Sequence, residues 1–239
     1  MALEQHISIP IRYQQQVDNA REYLIPFLEQ GVDFKPGLKV LEIGCGEGGV
    51  LKPFVEKGCQ CWGVDLAEGR IANAQQFQQE NVDAGKIEFR VQNVYDESFQ
   101  KEFDQFFDLI LLKDTIEHIP EQEKFIPYLH QLLQPQGKVF FGFPPWYMPF
   151  GGHQQICSSK VLGALPYYHL LPKYLYRGIL NLAKEPAHTV RELMEIKDTG
   201  ISLERFERII KRSQNGIIEQ NLYLINPIYR YKFGLKARK

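Results

Sequence analysis

The sequence is poor in the features that mark membrane, secreted and nucleic-acid-binding proteins. No stretch approaches the ~20 apolar residues of a membrane-spanning helix, and the N-terminus has no basic segment followed by an apolar run, so we expect no signal peptide. The 28 Lys and Arg residues nearly balance the 29 Asp and Glu residues, which argues against a nucleic-acid partner. Because only four cysteines occur, without paired zinc-ligand spacing, we expect reduced thiols and a cytoplasmic location.

What the sequence does contain is typical of a globular chain with alternating strands and helices. Its 239 residues, 44% hydrophobic and 24% charged, suit one sizeable α/β domain with an insertion better than two full domains. The alternation favours a Rossmann-like, doubly wound sheet of parallel strands. We predict strands at 39–43, 61–66, 87–91, 107–112, 138–143, 217–225 and 229–233, and helices at 14–30, 50–57, 67–81, 121–133 and 202–211.

The alternation stops after residue 145, where the chain becomes rich in Tyr, Leu and Pro. This change predicts a largely helical insertion after the fifth strand, over the carboxyl ends of the strands. We therefore divide the chain into an N-terminal helical cap at 1–35, a ligand-binding domain made of 36–145 with 200–239, and a substrate-lid insertion at 146–199.

A glycine-rich turn at 44–49 follows the first predicted strand. Gly44, Gly46 and Gly49 allow a tight turn and let a ligand lie against bare main chain, but their spacing also satisfies the dinucleotide pattern G-x-G-x-x-G. Glu42 helps to separate these two interpretations. Its carboxylate would repel a pyrophosphate, whereas it suits the ammonium and sulfonium groups of S-adenosylmethionine.

Two later positions have the chemistry of nucleoside recognition. Asp65 follows Gly46 by about the 20 residues expected of a carboxylate that holds ribose hydroxyls, although it could also cap the next helix. Asn93 and Val94 follow the third strand and offer amide groups where an adenine ring would lie, although Asn93 could instead cap a turn.

Together these segments resemble the class I S-adenosylmethionine-dependent methyltransferases. The resemblance rests on the runs V-L-E-I-G-C-G-E-G, G-V-D-L, Q-N-V, F-D-L-I-L-L-K-D-T-I-E-H-I-P and L-L-Q-P-Q-G-K-V-F-F, which follow the family's order and spacing over about residues 37–143. It implies a sheet of about seven mostly parallel strands with the last strand antiparallel. It also implies methyl transfer from S-adenosylmethionine to a small-molecule acceptor, with a hydroxyl oxygen favoured and carbon next.

The resemblance further implies which residues hold the cofactor. Glu42, Gly44 and Gly46 would line the methionine end, Asp65 the ribose and Asn93 with Val94 the adenine. Asn93 departs from the aspartate that is common at its position in the family. The predicted cofactor-binding residues are Glu42, Gly44, Cys45, Gly46, Asp65, Leu66, Asn93, Val94 and Lys113, the last beside the sulfonium.

His118 is the first candidate catalytic residue, just past the fourth strand. An imidazole with a near-neutral pKa suits a general base, although His118 could instead pack locally or contact the cofactor. The run 114–118 resembles the E-x-x-E-H run of the ubiquinone-pathway O-methyltransferases, whose carboxylates and histidine bind a divalent metal. Here Asp114 replaces the first glutamate, and because no fourth ligand is evident we predict no metal.

His153 is the second candidate, in a Pro- and Gly-rich loop that leaves the fifth strand. Open α/β sheets hold ligands at the carboxyl ends of their strands, so His153 could bind or deprotonate the acceptor, or simply cap the next helix. Trp146, Tyr147 and Phe150 in the same loop are the predicted walls of the substrate pocket.

The insertion leaves several partners open. Its aromatic and basic residues suit an apolar or ring-bearing acceptor, a peripheral membrane contact or a homodimer surface. Arg12 and Tyr13 are either a cover for the cofactor or peripheral. The alternatives to a methyltransferase are an NAD(P)-dependent oxidoreductase on the same glycine turn and a non-catalytic S-adenosylmethionine-binding subunit.

Overall fold

Five strands form one sheet in the computed structural model, which describes residues 8–213 and 216–239, apart from the side chains of Lys232 and Phe233. The continuous apolar runs of the first and fourth strands are almost entirely buried, as expected of strands covered on both faces. The strands are β1 Lys39–Ile43, β2 Gln60–Asp65, β3 Ile87–Val91, β4 Phe107–Lys113 and β5 Leu133–Gly142.

The strand order is β3-β2-β1-β4-β5. The pairs β1–β2, β1–β4 and β2–β3 are parallel, with Glu42 opposite Gly63 on one side and Leu111 on the other. The order reverses between β1 and β4, and ligands of such sheets bind beyond the carboxyl ends of the strands at this reversal. The glycine turn begins there, directly after β1.

The helices occupy most of the remaining described residues. A π-helical turn, Ala20–Leu24, joins the first two α-helices, and 3-10 turns lie at Ile116–His118, Gln154–Ile156 and Tyr168–Leu170. The α-helices are α1 Ile9–Asn19, α2 Ile25–Leu28, α3 Lys52–Glu56, α4 Glu68–Phe77, α5 Gln79–Asp83, α6 Glu97–Glu102, α7 Gln122–Leu132, α8 Lys160–Ala164, α9 Lys173–Leu182, α10 Ala187–Thr199, α11 Leu203–Arg212 and α12 Tyr229–Phe233. None of these described helices combines the length and apolarity needed to cross a bilayer.

The chain divides into two compact units. The sheet unit comprises residues 8–113, 128–141 and 217–239, and the helical unit comprises 114–127 with 142–213 and 216. The core of the sheet unit is built from apolar residues of β1–β4 and the helices against them, including Val40, Phe54 and Leu109 at 0% exposure. The helical unit has its own core around Tyr176, Leu180 and Leu193, each 0% exposed.

Local signals fix the elements of the helical unit. Ser202 caps α11, accepting a hydrogen bond from the amide of Arg205 at 3.2 Å, and Ser159 caps α8 in the same way. The buried carboxylate of Glu185 accepts hydrogen bonds from the amides of Ser158 and Ser159, at 2.7 and 2.8 Å. This bond pair fixes the chain just before α8.

The last two predicted strands are wrong. The described residues of 217–225 form no ladder and contribute one isolated antiparallel bridge, Ile225 with Arg238, while Tyr229–Phe233 is a helix. The alternating pattern lacks a buried face, because Ile218 and Leu224 are 63% and 83% exposed. A strand whose apolar residues find no core gains little from pairing. The sheet among the described residues therefore has five strands rather than seven.

Two elements start five residues before their predicted positions. The first helix starts at Ile9 rather than 14, with Pro10 in its first turn, where proline's missing amide costs nothing. The fifth strand starts at Leu133 rather than 138 and includes Pro135 and Gly137, which lie between the predicted helix and strand.

Candidate functional site

The glycine turn of the sheet unit has the backbone conformation that its glycines make available. Gly44, Gly46 and Gly48 have φ angles of 72°, 53° and 74°, in the left-handed region that other residues rarely adopt. The amides of Gly44 and Cys45 donate to the carbonyl of Val64, at 2.8 and 3.1 Å, which fastens the turn to the end of β2.

The two inner glycines serve different purposes. A Cβ on Gly48 would come within 2.5 Å of the Phe89 ring, so this position is glycine for packing. A Cβ on Gly46 would have as its nearest heavy atom the Arg70 guanidinium, at 3.9 Å. Gly46 is itself buried, so its left-handed φ of 53°, rather than a packing clash, is what requires glycine there.

Asp65, at the end of β2, is joined to this turn. Its Oδ2 accepts a 2.9 Å hydrogen bond from the amide of Gly46, and its Oδ1 accepts one of 2.9 Å from the amide of Ala67. Each carboxylate oxygen can accept a further bond, so the helix-capping role and a ribose role are compatible. Leu66, beside it, is 72% exposed, a large apolar surface adjacent to the carboxylate.

Glu42 and Cys45 are both buried, at 2% exposure. Desolvation raises the pKa of the Cys45 thiol well above its usual value, and the negative charges of Glu42 and Asp65 add to the rise. Cys45 is therefore a neutral thiol that packs beneath the turn. It is not a nucleophile.

Asn93 caps a turn, which was the alternative to its predicted adenine role. Its Oδ1 accepts a 3.0 Å hydrogen bond from the amide of Tyr95. The neighbouring Val94 is buried, and its carbonyl accepts a 2.5 Å hydrogen bond from the hydroxyl of Tyr128. Lys113 ends β4 and is half-buried.

The sequence analysis missed Glu47 as a partner of the first helix. Glu47 lies in the glycine turn at 2% exposure and forms an ion pair with the guanidinium of Arg12. The Tyr13 ring stacks on Phe77, with centroids 4.5 Å apart. A carboxylate inside a buried glycine turn needs a cation, and that requirement was the signal available in the sequence.

The helical unit brings the two candidate histidines together. The rings of His118 and His153 lie edge to face, with centroids 5.2 Å apart. Glu117 directly precedes His118 in the sequence, and its carboxylate lies 3.6 Å from Nε2 of His153. One ligand atom from each of Glu117, His118 and His153 lies within 4.8 Å of the other two.

Hydrogen bonds hold the 3-10 turn that carries Glu117 and His118. The hydroxyl of Thr199 donates to the carbonyl of Glu117 at 2.6 Å. The side-chain amide of Gln122 donates to the carbonyls of Ile116 and Thr199, at 2.8 and 2.6 Å. Both partners are fixed by α10 and α7, so the turn is braced by regular structure.

A buried histidine shapes the loop that carries His153. Nε2 of Gln154 donates to Nδ1 of His169 at 2.8 Å, and Nε2 of His169 donates to the carbonyl of Trp146 at 2.8 Å. The backbone at Gly152 packs so closely on His169 that a Cβ there would come within 2.4 Å. His153 itself has a left-handed φ of 56°.

The electrostatic environment keeps His118 largely neutral at neutral pH. Desolvation lowers its pKa, and His153 adds to the effect, whereas the charges of Glu117, Glu192 and Asp114 oppose it. His118 nevertheless keeps an exposed surface. A neutral imidazole with a reachable nitrogen can accept a proton or bind a cation.

The predicted pocket walls have different degrees of exposure. Trp146 and Phe150 are half-buried, while Tyr147 is 62% exposed. The amide of Trp146 donates to the carbonyl of Ile201 at 2.9 Å, and its indole packs against Gly200, where a Cβ would come within 2.2 Å of the ring. Trp146 and Phe150 therefore have the burial expected of a wall, and Tyr147 does not.

The strand order and the glycine turn together define an α/β domain of the nucleotide- and nucleoside-binding type. A family model described as a methyltransferase domain matches residues 13–150, more than half of the chain. The chain belongs to this family, the class I S-adenosylmethionine-dependent methyltransferases. This membership decides against the dinucleotide-dependent oxidoreductase.

Curated relatives agree with this family, and a solved structure shares the fold. The chain is 31% identical to a ubiquinone biosynthesis O-methyltransferase of Leptothrix cholodnii over 48% of its length and 47% of that protein. It is 28% identical to the same-named protein of Acinetobacter baylyi, over 69% and 67%. In several of these matches the chain spans about half the length of the relative. A Haemonchus contortus phosphoethanolamine N-methyltransferase 2 shares the fold, with a TM-score of 0.51 at 19% identity, over 85% of this chain and 40% of that one.

Proposed function

We propose that this chain transfers the methyl group of S-adenosylmethionine to a hydroxyl oxygen of a small-molecule acceptor. The observation that carries the proposal is the pair of histidines in the helical unit, one of them 3.6 Å from the carboxylate of Glu117. The methyl sulfonium is already activated, so the enzyme mainly has to align the acceptor and exclude water. A hydroxyl acceptor also needs to lose its proton, and an imidazole can accept that proton as a general base.

The cofactor role falls to the sheet unit. The main chain at Gly44 and Gly46, which carries no side chain, suits the methionine portion, and the carboxylate of Glu42 suits its ammonium group. The remaining acceptor capacity of Asp65 suits the ribose hydroxyls, and the exposed face of Leu66 suits a ring stacked beside them. Asn93 and Val94 remain our candidates for the adenine edge, and Lys113 for the region beyond β4.

The acceptor role falls to the helical unit. His153 or His118 would take the hydroxyl proton, and the Glu117 carboxylate would stabilise the imidazolium that forms. The half-buried Trp146 and Phe150 would bind an apolar or ring-bearing acceptor. The names of the relatives support an oxygen acceptor of this kind, and we propose residues 146–199 as the segment that encloses it.

The test is a transfer assay with methyl-labelled S-adenosylmethionine and three matched acceptors: a phenol, an aromatic amine and an active-methylene compound. We expect label on the phenol, lost in His153→Asn and retained in His188→Asn, an exposed histidine near the start of α10. Label on the amine or carbon acceptor alone would contradict the oxygen assignment. Tight binding of S-adenosylmethionine without transfer to any acceptor would favour the non-catalytic subunit.

The helical unit also supports a peripheral membrane contact. Val161, Tyr174 and Leu182 are 74%, 75% and 86% exposed, and lysines or arginines accompany them on α8 and α9. Exposed tyrosine and leucine beside basic residues suit the interface of an anionic bilayer. Sedimentation with phosphatidylglycerol vesicles should pull down the chain but not Tyr174→Ser/Leu182→Ser. Self-association that the same substitutions abolish, without vesicle binding, would instead identify a homodimer surface.

A further inference from the structure

The carboxylate of Glu117 is buried without the partners that such a group requires. The residue is 1% exposed, and neither oxygen has a hydrogen-bond partner among the described residues. An ionised carboxylate withdrawn from water in this way is strongly unfavourable unless a charge or hydrogen bonds compensate it. Nε2 of His153 lies 3.6 Å from one carboxylate oxygen, which is beyond hydrogen-bonding distance.

The groups around Glu117 have the character of metal ligands. One carboxylate oxygen and two imidazole nitrogens, from Glu117, His118 and His153, lie within 4.8 Å of one another. Ligands that share a tetrahedral zinc ion at about 2.0–2.2 Å are about 3.3 Å apart, so small side-chain rotations would bring these three atoms into coordination. A cation at their centre would supply the charge that the carboxylate lacks.

We propose that Glu117, His118 and His153 form a binding site for a divalent transition-metal ion, with Zn²⁺ as the best match. Two imidazoles and one carboxylate suit Zn²⁺, Co²⁺ or Fe²⁺, whereas Mg²⁺ prefers six oxygen ligands. This set replaces our prediction of no metal. It also differs from the 114–118 run suggested by resemblance, because Asp114 is outside the group and the third ligand comes from the loop after β5.

The surroundings favour a fixed site. The Thr199 hydroxyl and the Gln122 amide hold the backbone of the turn, and the His169–Gln154 pair holds the loop of His153. Three protein ligands leave at least one coordination position open, as in catalytic zinc sites. An ion in such a site would supply Lewis-acid chemistry that lowers the pKa of a bound hydroxyl, in place of an imidazole base, because both histidines would then be ligands. The use of that chemistry rests on the proposed function, whereas the binding itself does not.

The first experiment measures metal binding directly. Chelator-treated protein is titrated calorimetrically with Zn²⁺, Co²⁺ and Mg²⁺, and the visible absorption of the Co²⁺ form reports imidazole ligation. We expect one equivalent of Zn²⁺ or Co²⁺ per chain and much weaker Mg²⁺ binding. Because loss of a residue that only orients a ligand already costs about 10–100-fold in affinity, His153→Ala and His118→Ala should each cost at least about 100-fold.

The control is His188→Ala, which removes an exposed histidine of the same unit and should leave affinity unchanged. Asp114→Asn should also retain binding, which separates our ligand set from the 114–118 run. Thermal unfolding of every variant identifies any that has failed to fold, and Glu117→Gln, which keeps the side-chain volume, is the second test. The inference is overturned if the native chain binds neither Zn²⁺ nor Co²⁺, or if folded His153→Ala binds as the native chain does. Zinc binding without methyl transfer would support the metal site and contradict the proposed function. Methyl transfer without zinc binding would support the proposed function and contradict the metal site.

Discussion

The backbone amide of Gly46 donates a 2.9 Å hydrogen bond to Oδ2 of Asp65, which connects the glycine turn after β1 to the end of β2. The other oxygen of Asp65 accepts from the amide of Ala67, at the start of α4. One side chain thus fixes the shape of the turn and the start of the helix. The same side chain is our candidate for the ribose, so its removal should affect both stability and cofactor binding.

Asp65→Ala and Asp65→Asn should separate these two effects. The alanine variant leaves two amides without their acceptor and should lower the free energy of unfolding by about 1–3 kcal/mol. The asparagine variant keeps one carbonyl acceptor and should lose less stability, yet both should weaken S-adenosylhomocysteine binding at least about tenfold, because the charged acceptor is lost. Calorimetric titration and urea unfolding measure the two quantities. Asp83→Ala, an exposed aspartate at the end of α5, is the control. Unchanged affinity in Asp65→Ala would remove Asp65 from the site.

Gly48 is the glycine whose replacement should be most damaging. Its φ is 74°, and an added Cβ would lie 2.5 Å from the Phe89 ring. Strain and overpacking each cost about 1–3 kcal/mol, so Gly48→Ala should destabilise the chain by at least about 2 kcal/mol. The matched control is Gly69→Ala in α4, where a Cβ meets nothing within 4 Å. That variant should be neutral or stabilising by up to about 1 kcal/mol, because alanine favours helix. Urea unfolding of the pair checks the difference, and equal midpoints would contradict it.

The cofactor half of the molecule was the easier part to predict from sequence. The first four strands fall within one residue of their predicted bounds, because each is a short apolar run closed by Gly, Asp or Asn. The glycine turn was predicted for the same reason, since positive φ angles require glycine locally. The strands at 217–225 and 229–233 failed because a local pattern cannot reveal whether a buried face exists for it.

The Glu117–His118–His153 cluster, in contrast, could not be predicted from the sequence. Each histidine was a candidate on its own, but His153 is separated from Glu117 and His118 by α7, β5 and a loop, so no spacing rule could bring them together. The lack of a hydrogen-bond partner for the Glu117 carboxylate among the described residues is likewise a consequence of tertiary packing. Cys45, predicted as a cofactor contact from its place in the motif, stays a prediction, and its side chain is buried at 2% exposure, as is that of Glu42.

Stability should fall in mild acid because of His169. This imidazole is 0% exposed, and desolvation lowers its pKa, with the charge of Lys197 adding to the shift and the Trp146 carbonyl opposing it. Since the folded pKa lies below the unfolded value of about 6.5, the unfolded chain binds the proton first. Stability is therefore fully present above about pH 6.5 and declines by up to about 1.4 kcal/mol per pH unit below it, until the folded pKa is reached.

Urea unfolding of the native chain and His169→Gln from about pH 8 to about pH 5 measures this contribution as a difference in slope. Glutamine does not titrate, so the variant should lose less stability on acidification even if it is less stable at neutral pH. His118, whose pKa is also lowered, is present in both proteins and cancels in the comparison. Parallel curves would show that His169 is not responsible.

The ion pair between Arg12 and Glu47 should contribute far more to the free energy of unfolding than an ion pair between exposed residues does. Arg12→Ala leaves the carboxylate of Glu47 buried at 2% exposure inside the glycine turn, and we expect a loss of about 2 kcal/mol in unfolding free energy. Arg21→Ala removes an exposed pair with Glu56 and should cost less than about 1 kcal/mol. The double variant Arg12→Ala/Glu47→Gln should recover part of the loss, because it removes the uncompensated charge. If Arg12→Ala costs no more than Arg21→Ala, Glu47 must be stabilised by other groups, and the first helix does not anchor the turn through this pair.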